Sequence, residues 1–189
     1  MNQEDCRIEN KEIKEENVLI INMSSSPTKA SIHSEGIAWD SDELPKRILV
    51  PLDGSDFSFR AAEYAINLAK LTGGDILCLH AIGNLTYTEY MAPSGLTVSR
   101  YIQEAKKQTE EWFSQVKSKA SKQGVKVAAA DTIFNLPSVA ESIINYASEQ
   151  KADLIVIGTR GRSGLKRLVL GSVASAVVAH AGCPVLVTR

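Results

Sequence analysis

Asp153-Leu-Ile-Val-Ile-Gly158-Thr-Arg-Gly161-Arg-Ser-Gly-Leu-Lys-Arg-Leu-Val-Leu-Gly171-Ser172 is followed by an Ala/Val-rich run and then by Gly182-Cys-Pro-Val-Leu-Val-Thr-Arg189. The short apolar run Leu154 to Ile157 ends on Gly158, the pattern of a strand buried on both faces that stops at a turn. Ser172 is placed to cap a helix over Ser172 to Ala181, which Gly182 stops, and Pro184 to Thr188 reads as a further strand. Strand, glycine turn, helix and strand in succession are the unit of a parallel α/β sheet.

The glycines also carry chemistry. A glycine lets a ligand approach the main chain where a side chain would hold it off, and the N-H groups and dipole at a helix start attract an anion. A phosphate is the natural candidate. Gly158-x2-Gly161-x9-Gly171-Ser172 resembles the nucleotide-binding signature of the universal stress protein family, in particular its ATP-binding branch. The likeness extends to Arg47-Ile-Leu-Val-Pro-Leu-Asp-Gly-Ser55 and Leu79-His80-Ala81 and covers residues 46 to 189.

Working outward, Arg47 to Leu52 reads as a buried strand running into Asp53-Gly54-Ser55. Ser55 or Ser58 can cap a helix with Ala62, Ala65, Ile66 and Ala69 on its apolar side, ended by Gly73-Gly74. A strand over Ile76 to Ile82 precedes a connection from Gly83 to Ser99, long for a compact domain and read as a variable lid or contact loop. A helix over Arg100 to Lys122 then carries Ile102, Ala105, Thr109, Trp112 or Phe113, Val116 and Ala120 at spacings of three and four, and Gly124 ends it. Val125 to Phe134 reads as a strand, and Pro137 and Ser138 open a helix bearing Val139, Ile143, Ile144 and Ala147 on one side.

Strands alternating with helices predict a single doubly wound, parallel α/β sheet with helices on both faces. The resemblance implies five strands in the order 3-2-1-4-5, as in adenine nucleotide alpha-hydrolase-like folds. That order places the switch point between strands one and four, where ligands sit at the carboxyl ends of open sheets. Asp53 and Gly158 lie at those two ends.

The resemblance implies a site made of Pro51, Leu52, Asp53, Ala81, Ile157, Gly158, Arg160, Gly161, Gly171, Ser172 and Val173, holding ATP or a related adenine nucleotide with Mg2+ or Mn2+. Asp53 could accept hydrogen bonds from a ribose hydroxyl or an adenine edge, or could form an Asx turn into the first helix. Ala81 would offer main-chain contacts to adenine. Arg160, between two motif glycines, suits a phosphate, whereas Lys166 and Arg167 read more readily as a solvated basic face shared with Arg162. Ser172 can donate to a phosphate while capping its helix.

The formal charge of -1 conceals an asymmetry, since residues 1 to 45 hold 4 Lys/Arg against 10 Asp/Glu and residues 46 to 189 hold 17 against 12. A mildly basic domain of residues 46 to 189 behind an acidic extension of residues 1 to 45 suits a small anionic ligand. It lacks the basic stripe of a nucleic-acid binder. The extension is too polar to order readily. Its exception, Val18-Leu-Ile-Ile, is either an apolar patch in a mobile tail or a strand or short helix docked on the domain or a partner.

Cys6, Cys78 and Cys183 are odd in number and widely spaced, which indicates neither a disulfide framework nor zinc and fits a reducing cytoplasm. No apolar run nears the roughly 20 residues of a bilayer span, and the first residues are acidic where a secretory signal is basic. His33, His80 and His180 read as structural or surface residues, and Trp112-Phe113 as core. No phosphate loop, nucleophile elbow or His-Glu-x-x-His site is present, so nothing forms a catalytic constellation.

These features predict a nucleotide-binding sensor or regulator of stress responses, with slow hydrolysis at most. An adenylating, pyrophosphate-releasing ATPase is the enzymatic alternative, because Asp53-Gly-Ser-Asp-Phe-Ser58 faintly resembles the Ser-Gly-Gly-x-Asp-Ser loop of such enzymes but lacks its paired glycines. A nucleotide-free interaction module is the third reading. The apolar Val185-Leu-Val at a sheet edge predicts a homodimer through the last strand, as similar proteins form.

Overall fold

The computed structural model describes residues 18–21, 31–33, 36–38, 44–83, 98–136, 138–161 and 170–189. Its elements, in chain order, are β1 (Val18–Ile21), β2 (Ser31–His33), β3 (Gly36–Ala38), β4 (Arg47–Pro51), α1 (Asp56–Thr72), β5 (Asp75–Gly83) and α2 (Val98–Lys122). They continue with β6 (Val127–Leu136), α3 (Val139–Glu149), β7 (Leu154–Gly158), α4 (Ser172–His180) and β8 (Val185–Thr188). Of the loop expected from Gly83 to Ser99, Gly83 ends β5 and Val98 and Ser99 begin α2, while residues 84–97, Pro137 and the basic residues Arg162, Lys166 and Arg167 lie outside the described residues.

The sheet runs β1-β8-β7-β4-β5-β6. Its five strands from β8 to β6 are parallel to their neighbours and follow the expected 3-2-1-4-5 order. The sixth strand was one of two readings of its sequence: β1 pairs antiparallel with β8, from Val18 opposite Thr188 to Ile21 opposite Val185. β2 and β3, which sequence reasoning did not foresee, form a separate antiparallel pair.

Strand alternation sorts the core into two layers. On one face Ile48, Val50, Ile76, Cys78 and Val156 pack against Ala62, Ala65 and Ile66 of α1 and Phe113, Val116 and Ala120 of α2. On the other, Leu49, Leu77, Leu79, Ile155, Ile157, Val185 and Val187 meet Ile143, Tyr146 and Ala147 of α3 and Ala174 and Val177 of α4. Covered on both faces, the central strands read as continuous apolar runs because no position on them faces water.

The ends of the elements follow local chemistry. Ser55, not Ser58, caps α1, its Oγ accepting from the Ser58 N-H at 3.2 Å. Gly73 closes the helix at φ 66°, where a side chain is disfavoured. Ser138 caps α3 by accepting from the Glu141 N-H at 3.3 Å. The last helix departs from expectation at both ends. Gly171 occupies the N-cap with extended backbone and makes no side-chain cap bond, so Ser172 is the first helical residue and not the cap. The helix ends at His180, with Ala181 at the C-cap in place of Gly182.

Candidate functional site

β4 is the strand that pairs with both β5 and β7, and the chain leaves its carboxyl end toward α1 on one face while β7 leads to α4 on the other. The divergence opens a cavity of about 320 Å3. That volume falls within the range of small-molecule sites.

All eleven residues expected from the sequence line this cavity: Pro51, Leu52 and Asp53 after β4, Ala81 on β5, Ile157, Gly158, Arg160 and Gly161 at the end of β7, and Gly171, Ser172 and Val173 at the start of α4. The geometry of the three glycines explains their identity. A Cβ on Gly158 would lie 2.9 Å from the Phe57 backbone, one on Gly161 2.5 Å from Asp53 Oδ2, and one on Gly171 3.2 Å from the Thr159 carbonyl oxygen. None of the three has a positive φ, so what favours glycine is close approach, to backbone at Gly158 and Gly171 and to the end of the Asp53 side chain at Gly161. One side of the cavity is therefore bare main chain.

The Gly171 N-H donates to the Thr159 carbonyl at 2.8 Å, and the Thr159 N-H donates to the Thr188 carbonyl at 2.8 Å. These bonds tie the start of α4 to β8 through the turn after β7. Because Gly171 has no side chain to cap α4, the first-turn N-H groups of the helix keep their partial positive charge at the cavity wall. The buried Thr159 hydroxyl, also in this wall, has no hydrogen-bond partner among the described residues. Such a hydroxyl is a ready contact for a polar ligand.

Asp53 forms the Asx turn weighed for it and also lines the cavity. Its Oδ1 accepts from the Ser55 N-H at 3.0 Å and from the Ser55 hydroxyl at 2.6 Å, an Asx turn into α1, while the residue still lines the cavity with Oδ2 toward Gly161. The Arg160 guanidinium stands 5.7 Å from the centre of the Phe57 ring, a cation-π contact that limits its rotamers while it lines the cavity.

Support comes from behind. His80 Nδ1 is 2.6 Å from the Leu52 carbonyl oxygen, and its ring meets the edge of Trp112 at 5.1 Å between centres. Donation from Nδ1-H to that carbonyl braces the residue before Asp53. Trp112 and Phe113 are buried, in agreement with a core role.

Sequence reasoning missed Ser58, Leu79, Val139, Ile143, Thr159 and Ala174 in the cavity wall. The available signals were weak. Leu79 lies two residues before Ala81 and so on the same face of β5, and Val139 and Ile143 recur at helical spacing on the apolar side of α3. The two cysteines of the domain are not part of this cavity; burial pushes the Cys78 thiol up to about 12 and raises that of Cys183. Among the described residues no helix is long and apolar enough to cross a membrane.

The profile of the universal stress protein family matches residues 45–189. A universal stress protein of Methanocaldococcus jannaschii is 35% identical over 153 residues, covering 81% of this chain and 87% of its own length. Universal stress protein YxiE of Bacillus subtilis is 35% identical over 149 residues, covering 76% and 98%. Among solved structures, universal stress protein UspA from Lactobacillus plantarum superposes with a TM-score of 0.64 at 24% identity, covering 76% of this chain and 97% of that one. A universal stress protein in complex with cAMP gives 0.58 at 22% identity over 77% and 98% of the two chains. One from Archaeoglobus fulgidus in complex with dAMP gives 0.54 at 24% identity over 77% and 99%.

Proposed function

The chain belongs to the universal stress protein family, and from that premise we propose that the cavity between β4 and β7 binds an adenine nucleotide, ATP in particular. The observation that carries this reading is the main-chain wall. Three glycines whose Cβ atoms would meet Phe57, Asp53 and Thr159 leave the main chain open to a ligand beside the start of α4, which suits a phosphate chain. Asp53, across from it, suits a ribose hydroxyl. Leu79, Ala81, Val139 and Ile143 form an apolar slot of a kind that accepts a purine ring. Complexes of structural neighbours with cAMP and dAMP support the adenine part of this assignment.

Mg2+ or Mn2+ would accompany the triphosphate. No group of three His, Cys, Asp or Glu gathers among the described residues, so the ion would take its ligands chiefly from phosphate oxygens and water. With the Oδ1 of Asp53, the one carboxylate among the described cavity residues, engaged by Ser55, hydrolysis is slow at most. The role is that of a cytoplasmic stress-response sensor whose state is set by nucleotide occupancy. The homodimer expected through β8 would form where β1 now pairs, so it requires that strand to leave.

Titration calorimetry with ATP, dAMP, cAMP and GTP, each with and without Mg2+, tests it. Micromolar binding of adenine nucleotides, weak binding of GTP, and loss of ATP binding in folded Gly161→Val are expected. No measurable binding, or equal affinity in that variant, would overturn it.

A further inference from the structure

β8 has a partner on each side. β7 runs parallel to it on one side, and all four of its residues, Val185 to Thr188, pair with β1 on the other. Remove β1 and β8 becomes the rim of the sheet, with unpaired N-H and C=O groups next to the fully buried Val185 and Val187. Such an apolar rim invites another strand. β1 itself is Val-Leu-Ile-Ile, the strongest apolar run in residues 1 to 45, which otherwise carry a net charge of -6 against +5 for the remainder. Opposite charge favours keeping the extension on its own domain, and β-branched residues suit the strand it forms there.

The antiparallel sense matters. Two copies of this chain related by a two-fold axis would bring β8 against β8 antiparallel, and they would use the same N-H and C=O groups that β1 now occupies. Cap and second copy are therefore mutually exclusive on this edge. A cap of four residues, tethered at one end of a long polar segment, is also short enough to be displaced.

We propose that β1 is a removable in-chain cap that keeps a second copy of this protein off the β8 edge. The acidic extension thus governs self-association through a strand-for-strand exchange.

Two full-length variants test this without nucleotide, so the outcome is independent of what the cavity binds. In Ile20→Cys/Leu186→Cys the new thiols stand opposite each other in the register, at a spacing a disulfide accepts. Mild oxidation should give a 20–186 linkage within one chain, identified by peptide mapping, and a mass of 20.5 kDa by light scattering at tens of micromolar. In Leu19→Pro/Ile20→Pro at least one ladder donor of β1 is removed, and the mass should double while amides of residues 185–188 keep exchange protection, because the second copy's β8 takes the place of β1. A linkage between two chains, a wild-type protein already dimeric, or an unchanged mass in the proline variant with native circular dichroism would each overturn the cap.

Discussion

Gly161 faces Asp53 so closely that a Cβ on the glycine would sit 2.5 Å from Asp53 Oδ2. The turn after β7 and the turn after β4, which are 108 positions apart in sequence, share the two lips of one cavity through this pair.

Gly161→Val is the sharpest test of the contact. Gly161 does not have a positive φ, so the backbone accepts a side chain, and the damage comes from displacing the Asp53 carboxylate. ATP affinity by calorimetry is expected to fall about tenfold or more, roughly 1.4 kcal/mol, with little change in melting temperature. A variant that binds as the wild type does would show that the lips play no part in recognition.

Gly54→Ala and Gly73→Ala separate strain from crowding. Both glycines have positive φ, 79° and 66°, but a Cβ at Gly54 would run into the Trp112 indole whereas one at Gly73 meets open space. Urea denaturation should show a loss of about 1 kcal/mol at Gly73 and about 2–4 kcal/mol at Gly54, where overpacking adds to strain.

Tyr146→Phe probes a polar contact at the rim of the second core layer. The buried Tyr146 hydroxyl donates to Asp131 Oδ2 at 2.5 Å, and Asp131 is exposed, so water can replace the lost donor. The expected cost is about 1 kcal/mol by chemical denaturation. A loss several times larger would mean that the pair organises more of α3 than its contact suggests.

Stability should decline in alkali. Burial raises the Cys78 thiol from 9.0 to about 12, and burial, then the hydrogen bond from Tyr146 to Asp131, raises the Tyr146 phenol above its usual 10.0. Folded protein thus holds these protons where the unfolded chain releases them. This stabilisation is complete below about pH 9 and is lost as pH rises toward 12, at up to about 1.4 kcal/mol per pH unit for each group. Urea midpoints measured from pH 8 to 11 should fall, and fall less in Cys78→Ala. A flat profile would contradict the assignment.

How much was legible depends on what each residue's identity reports. Gly158, Gly161 and Gly171 announce the cavity because a Cβ would run into the Phe57 backbone at the first, displace the Asp53 carboxylate at the second and crowd the Thr159 carbonyl at the third. Leu79, Val139 and Ile143 do not, since an apolar residue facing a cavity looks the same in sequence as one facing core. Ser172 misled because Ser is a good cap, yet extended Gly171 before it already takes that position. Val18 to Ile21 stayed ambiguous for a topological reason: its partner, Val185 to Thr188, lies at the other end of the chain, and short-range pattern cannot reveal such a pairing.

The bare-backbone wall has an evolutionary corollary. Substitution cannot readily adjust a surface built from Gly158, Gly161 and Gly171, because any new side chain there closes the space it is meant to shape. Side chains elsewhere in the lining, such as Ala81, Val139 and Ile143, are where an exchange can resize the cavity.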